Sequence, residues 1–324
     1  MSQRWRSFIT STIVALLLLI PGGYAIIHQQ QLSDWWHLRN YVAPTAVASL
    51  ATDTTMNDQT RRIFYVNHPV IQDKVSFYSS CSEDEQTVVL GCYINNRGIF
   101  VLGVDDQRLN GVEQVTAAHE LLHAAYDRLN DADKRHIDQL VQDTYAKLND
   151  ADITQKIVLY KLNNADIPNE LHSILGTEVA KLPPELETYY QRYFTDRSKI
   201  VGYANTYKGV FTQRKQQFDA YNQQLKDLEA QITANNTTLD AKSGALETEK
   251  ARLDSLKASG NIDEYNAGVN PFNANVATYN KLVAQNKQLI ATYKTTLAAR
   301  NQVADEAQAL SKALDSRIST RDAK

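Results

Sequence analysis

The stretch "AAHELLHAAYDRL", residues 117–129, is the part of the sequence from which the fold and function predictions start. On a helix, His119 and His123 lie four residues apart on one face, so their ring nitrogens can meet at one point. Glu120 follows the first histidine and is rotated away from that point. This His-Glu-x-x-His pattern binds zinc through its two imidazoles and uses the glutamate as a general base. The alternative is an ordinary helix with two histidines at that spacing.

Composition excludes one broad class of partner. The chain has 324 residues, with 34 Lys+Arg against 37 Asp+Glu and a net charge of -3. It has no cationic surplus to neutralise a phosphate backbone, so we expect no nucleic-acid binding. The length fits one or two units with extensions.

The N-terminus predicts export. An apolar stretch, residues 8–27, carries no charge and follows Arg4 and Arg6. We predict that residues 1–30 form a single-pass membrane anchor with a cytoplasmic N-terminus, or a cleaved signal peptide. In the first case the remainder is extracytoplasmic, and in the second it is secreted.

The two cysteines, Cys81 and Cys92, are expected to form a disulfide, because the predicted exterior is oxidising. The alternative, a metal site, lacks the Cys-x-x-Cys spacing of zinc-binding cysteines.

The middle of the chain is predicted to be a compact, mainly helical segment at residues 46–202, preceded by a linker at 31–45. It opens with helix over 47–69, ended by Pro69. "TVVLGCYI" and "IFVLGV", joined by "NNRG", then predict a β-hairpin. The fold class is therefore mainly α, with a small β element in an α+β arrangement.

Residues 203–324 are predicted to form a long antiparallel helical hairpin. Apolar residues recur every seventh position, which is typical of a coiled-coil seam, and Gly260 and Pro271 are expected to interrupt the helix between the two arms. The arm is interpreted as a spacer or a self-association element, or else as a substrate-recognition arm. The seam residues are Phe211, Phe218, Leu225, Ile232, Leu239, Leu246 and Leu253, then Val276, Val283, Ile290 and Leu297.

The surroundings of the histidine pair favour a buried site. The helix is expected to begin near Asn110 or Gly111 and to run to about Leu129. An apolar stripe would bury it and place the histidines at the floor of a cleft. The stripe comprises Val112, Val115, Ala118, Leu122 and Ala125.

"VTAAHELLHAAYDRL", residues 115–129, resembles the active-site helix of zinc metallopeptidases of the zincin class. The preceding "GIFVLGVDDQRL", residues 98–109, resembles the strand that lies beside the cleft in those folds. The metzincin variant is excluded, because no third histidine follows at its spacing. The resemblance covers about 100 residues, excludes the helical tail, and implies a gluzincin-like site whose third ligand is a glutamate on a later helix.

Two glutamates are candidates for that third ligand, Glu170 and Glu178. "NELHS", which contains Glu170, resembles the Asn-Glu-x-x-Ser opening of gluzincin ligand helices. The sequence departs from the family at Ile174, where some gluzincins have an aspartate that supports a ligand histidine.

Two further residues are weaker candidates for catalysis. His172 could stabilise the oxyanion of a tetrahedral intermediate, or be a surface histidine. Tyr126 could donate a hydrogen bond in the cleft, or be a packed tyrosine.

These observations predict a membrane-anchored, extracytoplasmic peptidase that acts on protein or peptide substrates. His119, His123 and a glutamate would hold Zn²⁺, and Glu120 would be the general base. The rival prediction is a surface-anchored coiled-coil interaction protein whose head is non-catalytic or carries a structural metal.

Overall fold

The computed structural model describes residues 29–81 and 89–317. The protein is mainly helical, with a three-stranded sheet and a pair of long helices. The chain divides into two compact units, one of Met1–Lys208 with Lys312–Lys324 and one of Gly209–Ser311. Of the described residues, those at 312–317 therefore group with the first unit and not with the second.

Short elements build the first unit. The elements that precede the motif helix are α1 Gln29–Leu38, α2 Thr45–Asp53, α3 Asp58–Val66, β1 Val70–Gln72, α4 Lys74–Cys81, β2 Gly91–Ile94, β3 Gly98–Leu102 and a 3₁₀ turn at Gln107–Leu109. The motif helix and those that follow it are α5 Val112–Tyr126, α6 Asp131–Lys147, α7 Ala151–Leu162, α8 Ile167–Glu178 and α9 Pro184–Tyr190. The two long helices are α10 Arg197–Ala258 and α11 Ile262–Leu314.

The sheet has the strand order β1-β3-β2. β2 and β3 form the predicted hairpin, with Cys92 opposite Phe100. β1 pairs in parallel with the other side of β3 and was not predicted, because its three residues are too few to show a pattern. The strand expected beside the cleft, within residues 98–109, is β3, and it lies in the middle of the sheet. Both β2 and β3 pack against α5, and β2 is the edge strand of the two.

Helix α5 lies in the hydrophobic core and packs against α8, β2 and β3. It begins after Gly111, whose φ of 100° is a left-handed conformation that glycine adopts without strain. Every residue of the predicted apolar stripe is buried, which confirms that prediction: Val112, Val115, Ala118, Leu122 and Ala125.

The region before the sheet differs from its prediction. The single helix expected over 47–69 is two helices, because the Asn57 side chain caps the start of α3 and Met56 forms a bridge with Phe194. The predicted linker contains helix α1, whose Trp35 and Trp36 are exposed.

The predicted disulfide is confirmed. Cys81 at the end of α4 is bonded to Cys92 in β2, with their Cα atoms 6.1 Å apart. It crosslinks the edge strand β2 to the helix that precedes it.

The long helices α10 and α11 are antiparallel. Arg214 pairs with Glu306 near one end of the pair, and Asn236 pairs with Asn286 further along, so the partners run in opposite directions. The turn between the helices contains Gly260, with a φ of 79°. Pro271 does not interrupt the helix as predicted, because α11 begins before it and continues through it.

The predicted membrane localisation is not supported and is withdrawn. Within residues 29–81 and 89–317, no helix is both long and apolar enough to cross a bilayer. The segment on which the prediction rested, residues 1–30, lies almost wholly outside the described residues.

Candidate metal centre

Three side chains from α5 and α8 converge on one point. Nε2 of His119 lies 3.8 Å from Oε2 of Glu170, and Nε2 of His123 lies 3.9 Å from Oε1 of the same carboxylate. One ligand atom from each residue can be chosen so that all lie within 4.8 Å of one another. The side chains keep 12 to 16% of their surface exposed, so water can reach the cluster.

Local sequence fixes where α8 begins and ends. Asp166 caps its N-terminus by accepting a hydrogen bond from the Asn169 backbone, and Pro168 occupies the first turn, where its missing N–H costs nothing. At the other end the buried Arg197 guanidinium donates to the Val179 carbonyl at 2.6 Å. Glu170 therefore projects from the first turn of a helix held at both ends.

A glycine lets α8 approach α5 closely. A Cβ atom at Gly176 would lie 2.5 Å from Cδ1 of Leu122 and 2.7 Å from Cε1 of Tyr190. Non-bonded carbon atoms do not approach one another this closely, so only glycine fits at this position. Leu122 belongs to the motif itself, and the contact therefore sets the spacing between the histidine helix and the glutamate helix.

His123 has a partner that orients its ring. Its Nδ1 lies 2.9 Å from Oδ1 of Asn169, the residue that precedes Glu170. An amide oxygen accepts hydrogen bonds, so Nδ1 carries the proton and Nε2 is left with a free lone pair. This is the tautomer a metal ligand needs.

Electrostatics set the charges of the cluster. Burial, with the nearby His119, lowers the pKa of His123 and keeps it neutral. Burial acts to raise the pKa of Glu170, but its interactions with His119 and His123 outweigh burial, so the pKa is lowered and the carboxylate stays ionised. Burial also acts to lower the pKa of His119, yet its contacts with Glu170 and the charge of Glu120 raise it.

The residues present fit a zinc ion. Two imidazole nitrogens and one carboxylate form a common catalytic zinc set, and tetrahedral ligands at about 2.0–2.1 Å from zinc lie about 3.3 Å apart. The observed 3.8 and 3.9 Å are wider by about half an ångström. Oε2 of Glu170 is also buried with no hydrogen-bond partner among the described residues. A buried carboxylate oxygen of this kind is costly unless a cation or donor satisfies it.

Glu120 directly follows the first histidine and is buried, with a relative exposure of 5%. Its side chain faces β2: a Cβ atom at Gly91 would lie 2.9 Å from its Oε1. The carboxylate lies against the edge strand and acts electrostatically on His119, and it does not belong to the ligand set.

Glu178, the other predicted third ligand, is not in the cluster. Its carboxylate is buried between Lys156, at 2.7 Å, and Lys208. Burial acts to raise its pKa, but the two ammonium groups lower it to about 2. Both glutamates lie on α8, but the carboxylate of Glu178 forms ion pairs with these two lysines, and only Glu170 lies in the cluster.

The two weaker candidates for catalysis also lie away from the cleft surface. His172 has no exposed surface, its Nε2 is 2.9 Å from the Tyr189 hydroxyl, and burial lowers its pKa to about 3. Tyr126 is buried and donates to Oδ1 of Asp138 at 2.6 Å. Their polar atoms pair with Tyr189 and Asp138, and neither residue belongs to the ligand cluster, so neither enters the function proposed below.

Three residues with a part in the centre were not predicted. Asn169 and Gly176 are identified only by the packing of α8 against α5. Tyr160, on α7, forms a hydrogen bond that helps lower the pKa of Glu170. The letters "NE" at 169–170 were the one available signal, through the Asn-Glu opening of gluzincin ligand helices.

Comparisons with protein families, with curated proteins and with solved structures find no match for this chain. The resemblance of this chain to zincins therefore rests on the residues of the chain and on their geometry.

Proposed function

We propose that the protein is a zinc-dependent peptidase with a gluzincin-like ligand set of His119, His123 and Glu170. The observation that carries the proposal is the convergence of both histidine Nε2 atoms on one partly buried carboxylate, with distances of 3.8 and 3.9 Å. Zn²⁺ would supply a Lewis acid that polarises the scissile carbonyl and lowers the pKa of a water at the site.

We assign the role of general base to Glu120. It follows the ligand His119 in sequence, lies against β2 and acts electrostatically on His119, and we infer that its carboxylate contacts a water beside the ligands. In this role it accepts the proton of the attacking water and then delivers it to the leaving amine. Its burial makes each of these electrostatic interactions stronger than it would be in bulk water.

The edge of the sheet supports an extended polypeptide as substrate. Leu102 donates to the Leu90 carbonyl at 2.9 Å, and hydrogen-bonded pairs alternate along an antiparallel ladder. Gly91 and Tyr93 therefore form no hydrogen bonds with their partners in β3, Val101 and Ile99. The backbone N–H and C=O groups of Gly91 and Tyr93 point away from β3. Among the described residues no strand pairs with this edge. A substrate strand added here would pass beside Glu120.

The far end of β2 offers room for the same chain. A cavity of about 590 Å³ lies beside Tyr93 and is lined by Asp127 and Arg128, which follow α5, and by residues of α1 and of the hairpin turn. Its walls are mostly polar. A peptide that runs along β2 would enter this cavity, which favours polar side chains at that end of the substrate.

The experiment is a comparison of wild type and E120Q, both as the full chain with zinc supplied, on an unstructured protein such as denatured casein. We expect E120Q to retain zinc and to lose at least about 100-fold in kcat, because only the proton acceptor is removed. Chelation should abolish cleavage by the wild type, and added zinc should restore it. Equal cleavage by wild type and E120Q would contradict the proposal.

A further inference from the structure

We propose that Gly91 is a positioning residue for Glu120: the absence of a side chain in β2 leaves the space in which the Glu120 carboxylate is held. The effect on catalysis rests on the proposed peptidase function. The close contact between Gly91 and Glu120 is a property of the fold and does not depend on that function.

The space at Gly91 is filled by α5. An added Cβ atom would lie 2.4 Å from Cγ2 of Thr116, 2.8 Å from Cγ of Glu120 and 2.9 Å from its Oε1. All three distances are well below van der Waals contact. The glycine is itself buried, so there is no adjacent solvent into which the added atom could project.

The strand cannot retreat from this collision. On one side Leu90 accepts the backbone hydrogen bond of Leu102 at 2.9 Å, and the next residue, Cys92, is bonded to Cys81. The backbone of α5 is equally fixed, because Ala117 and Leu121, which flank this part of the helix, are completely buried. What can move is the side chain of Glu120, whose carboxylate is the flexible end of the contact, together with the Thr116 rotamer.

The expected consequence is specific to the base. Displacement of a catalytic group by about 1 Å can cost about 100-fold in rate, whereas rotation of a glutamate side chain has little effect on folding. The three atoms nearest to the added Cβ belong to Thr116 and Glu120 and not to a metal ligand, so zinc binding should be retained. G91A should thus lower kcat and leave zinc content and KM nearly unchanged.

The test uses the full chain as wild type, G91A, T116S, G91A/T116S and G202A. Gly202 has no atom within 4 Å of an added Cβ, so G202A is the matched control for the glycine-to-alanine change. T116S removes Cγ2 and so separates crowding of Thr116 from displacement of Glu120. Each variant is measured for zinc content, for kcat and KM on an unstructured peptide, and for the ¹³C carboxyl resonance of Glu120, assigned by its loss in E120Q.

We expect G91A and G91A/T116S to shift the Glu120 resonance and to lose at least about 10-fold in kcat, with KM within about twofold of wild type. T116S and G202A should match the wild type. An unshifted resonance in G91A, or full recovery of kcat in the double variant, would overturn the inference. If the wild type cleaves no peptide, the proposed function fails, while the resonance still decides whether Gly91 positions Glu120.

Discussion

Nδ1 of His123 lies 2.9 Å from Oδ1 of Asn169, so the residue beside one ligand orients the ring of another. The two residues come from different helices, α5 and α8. The hydrogen bond therefore fixes both the tautomer of His123 and the approach of Glu170.

Removal of this hydrogen bond should weaken metal binding. N169A should lower zinc affinity by about 10- to 100-fold, because His123 loses the acceptor that holds Nε2 toward the site. Zinc affinity would be measured by competition with a chromogenic chelator. N169D keeps an acceptor oxygen and is the matched control, expected to bind nearly as tightly as wild type. Wild-type affinity in N169A would show that Asn169 does not orient the ligand.

Gly176 should be intolerant of the smallest substitution. In an open helix, glycine to alanine stabilises by about 0.5–1 kcal/mol. In G176A the added methyl collides with Leu122 and Tyr190, so we expect destabilisation by about 1–3 kcal/mol in chemical denaturation, together with weaker zinc binding. G202A, in open space, should be neutral or stabilising. A stability gain in G176A would contradict the close packing of α5 on α8.

Glu178 should make folding stability depend on acid pH. Its pKa is lowered to about 2, below the value of about 4.3 of an unfolded chain. Its contribution is therefore fully present above about pH 4.3 and is lost as the pH falls toward 2. E178Q should flatten the stability profile in that window and should cost about 1–3 kcal/mol at pH 7, since the buried carboxylate pairs with two lysines.

The control for Glu178 is E185Q. Glu185 pairs with His136, and both side chains are more than 60% exposed, so this change should alter stability by less than about 0.5 kcal/mol. Urea titrations between pH 2.5 and 7 give both profiles. If the free energy of unfolding fell equally steeply with pH in E178Q and wild type, Glu178 would not be the source of the acid dependence.

The disulfide should stabilise the sheet edge. Replacing Cys81 and Cys92 by serine should cost about 2–3 kcal/mol, because the bond closes a short loop in the unfolded chain. Thermal unfolding with and without reductant measures this. Reductant should lower the Tm of wild type to that of the double variant and leave the variant unchanged. A wild-type Tm that does not respond to reductant would contradict a stabilising bond.

Local signals in the sequence were sufficient for part of this structure. Gly111 and the apolar stripe placed helix α5, and "NNRG" placed the hairpin turn, where Asn96 and Gly98 adopt positive φ. Cys81 and Cys92 pair as expected. Each of these features is determined by residues close in sequence, or by a pair of residues of one rare type.

Long-range contacts explain what was missed. The sequence left Glu170 and Glu178 as alternatives because both lie on α8. Glu178 is distinguished from Glu170 by its ion pairs with Lys156 on α7 and Lys208 on α10, and these contacts form only in the folded chain. The same holds for β1, whose three residues form a strand only because β3 lies beside them. His172 gave no signal in sequence that it would lie among buried tyrosines.

The most direct test of the metal centre is zinc content by elemental analysis on the full chain. The samples are wild type, H119A, E170Q and E178Q after reconstitution and desalting. About one zinc per chain is expected in wild type and E178Q, and loss of zinc in H119A and E170Q, since these remove ligands of the proposed set. A wild type without zinc, or an E170Q variant that retains it, would contradict the assignment of His119, His123 and Glu170 as a zinc site.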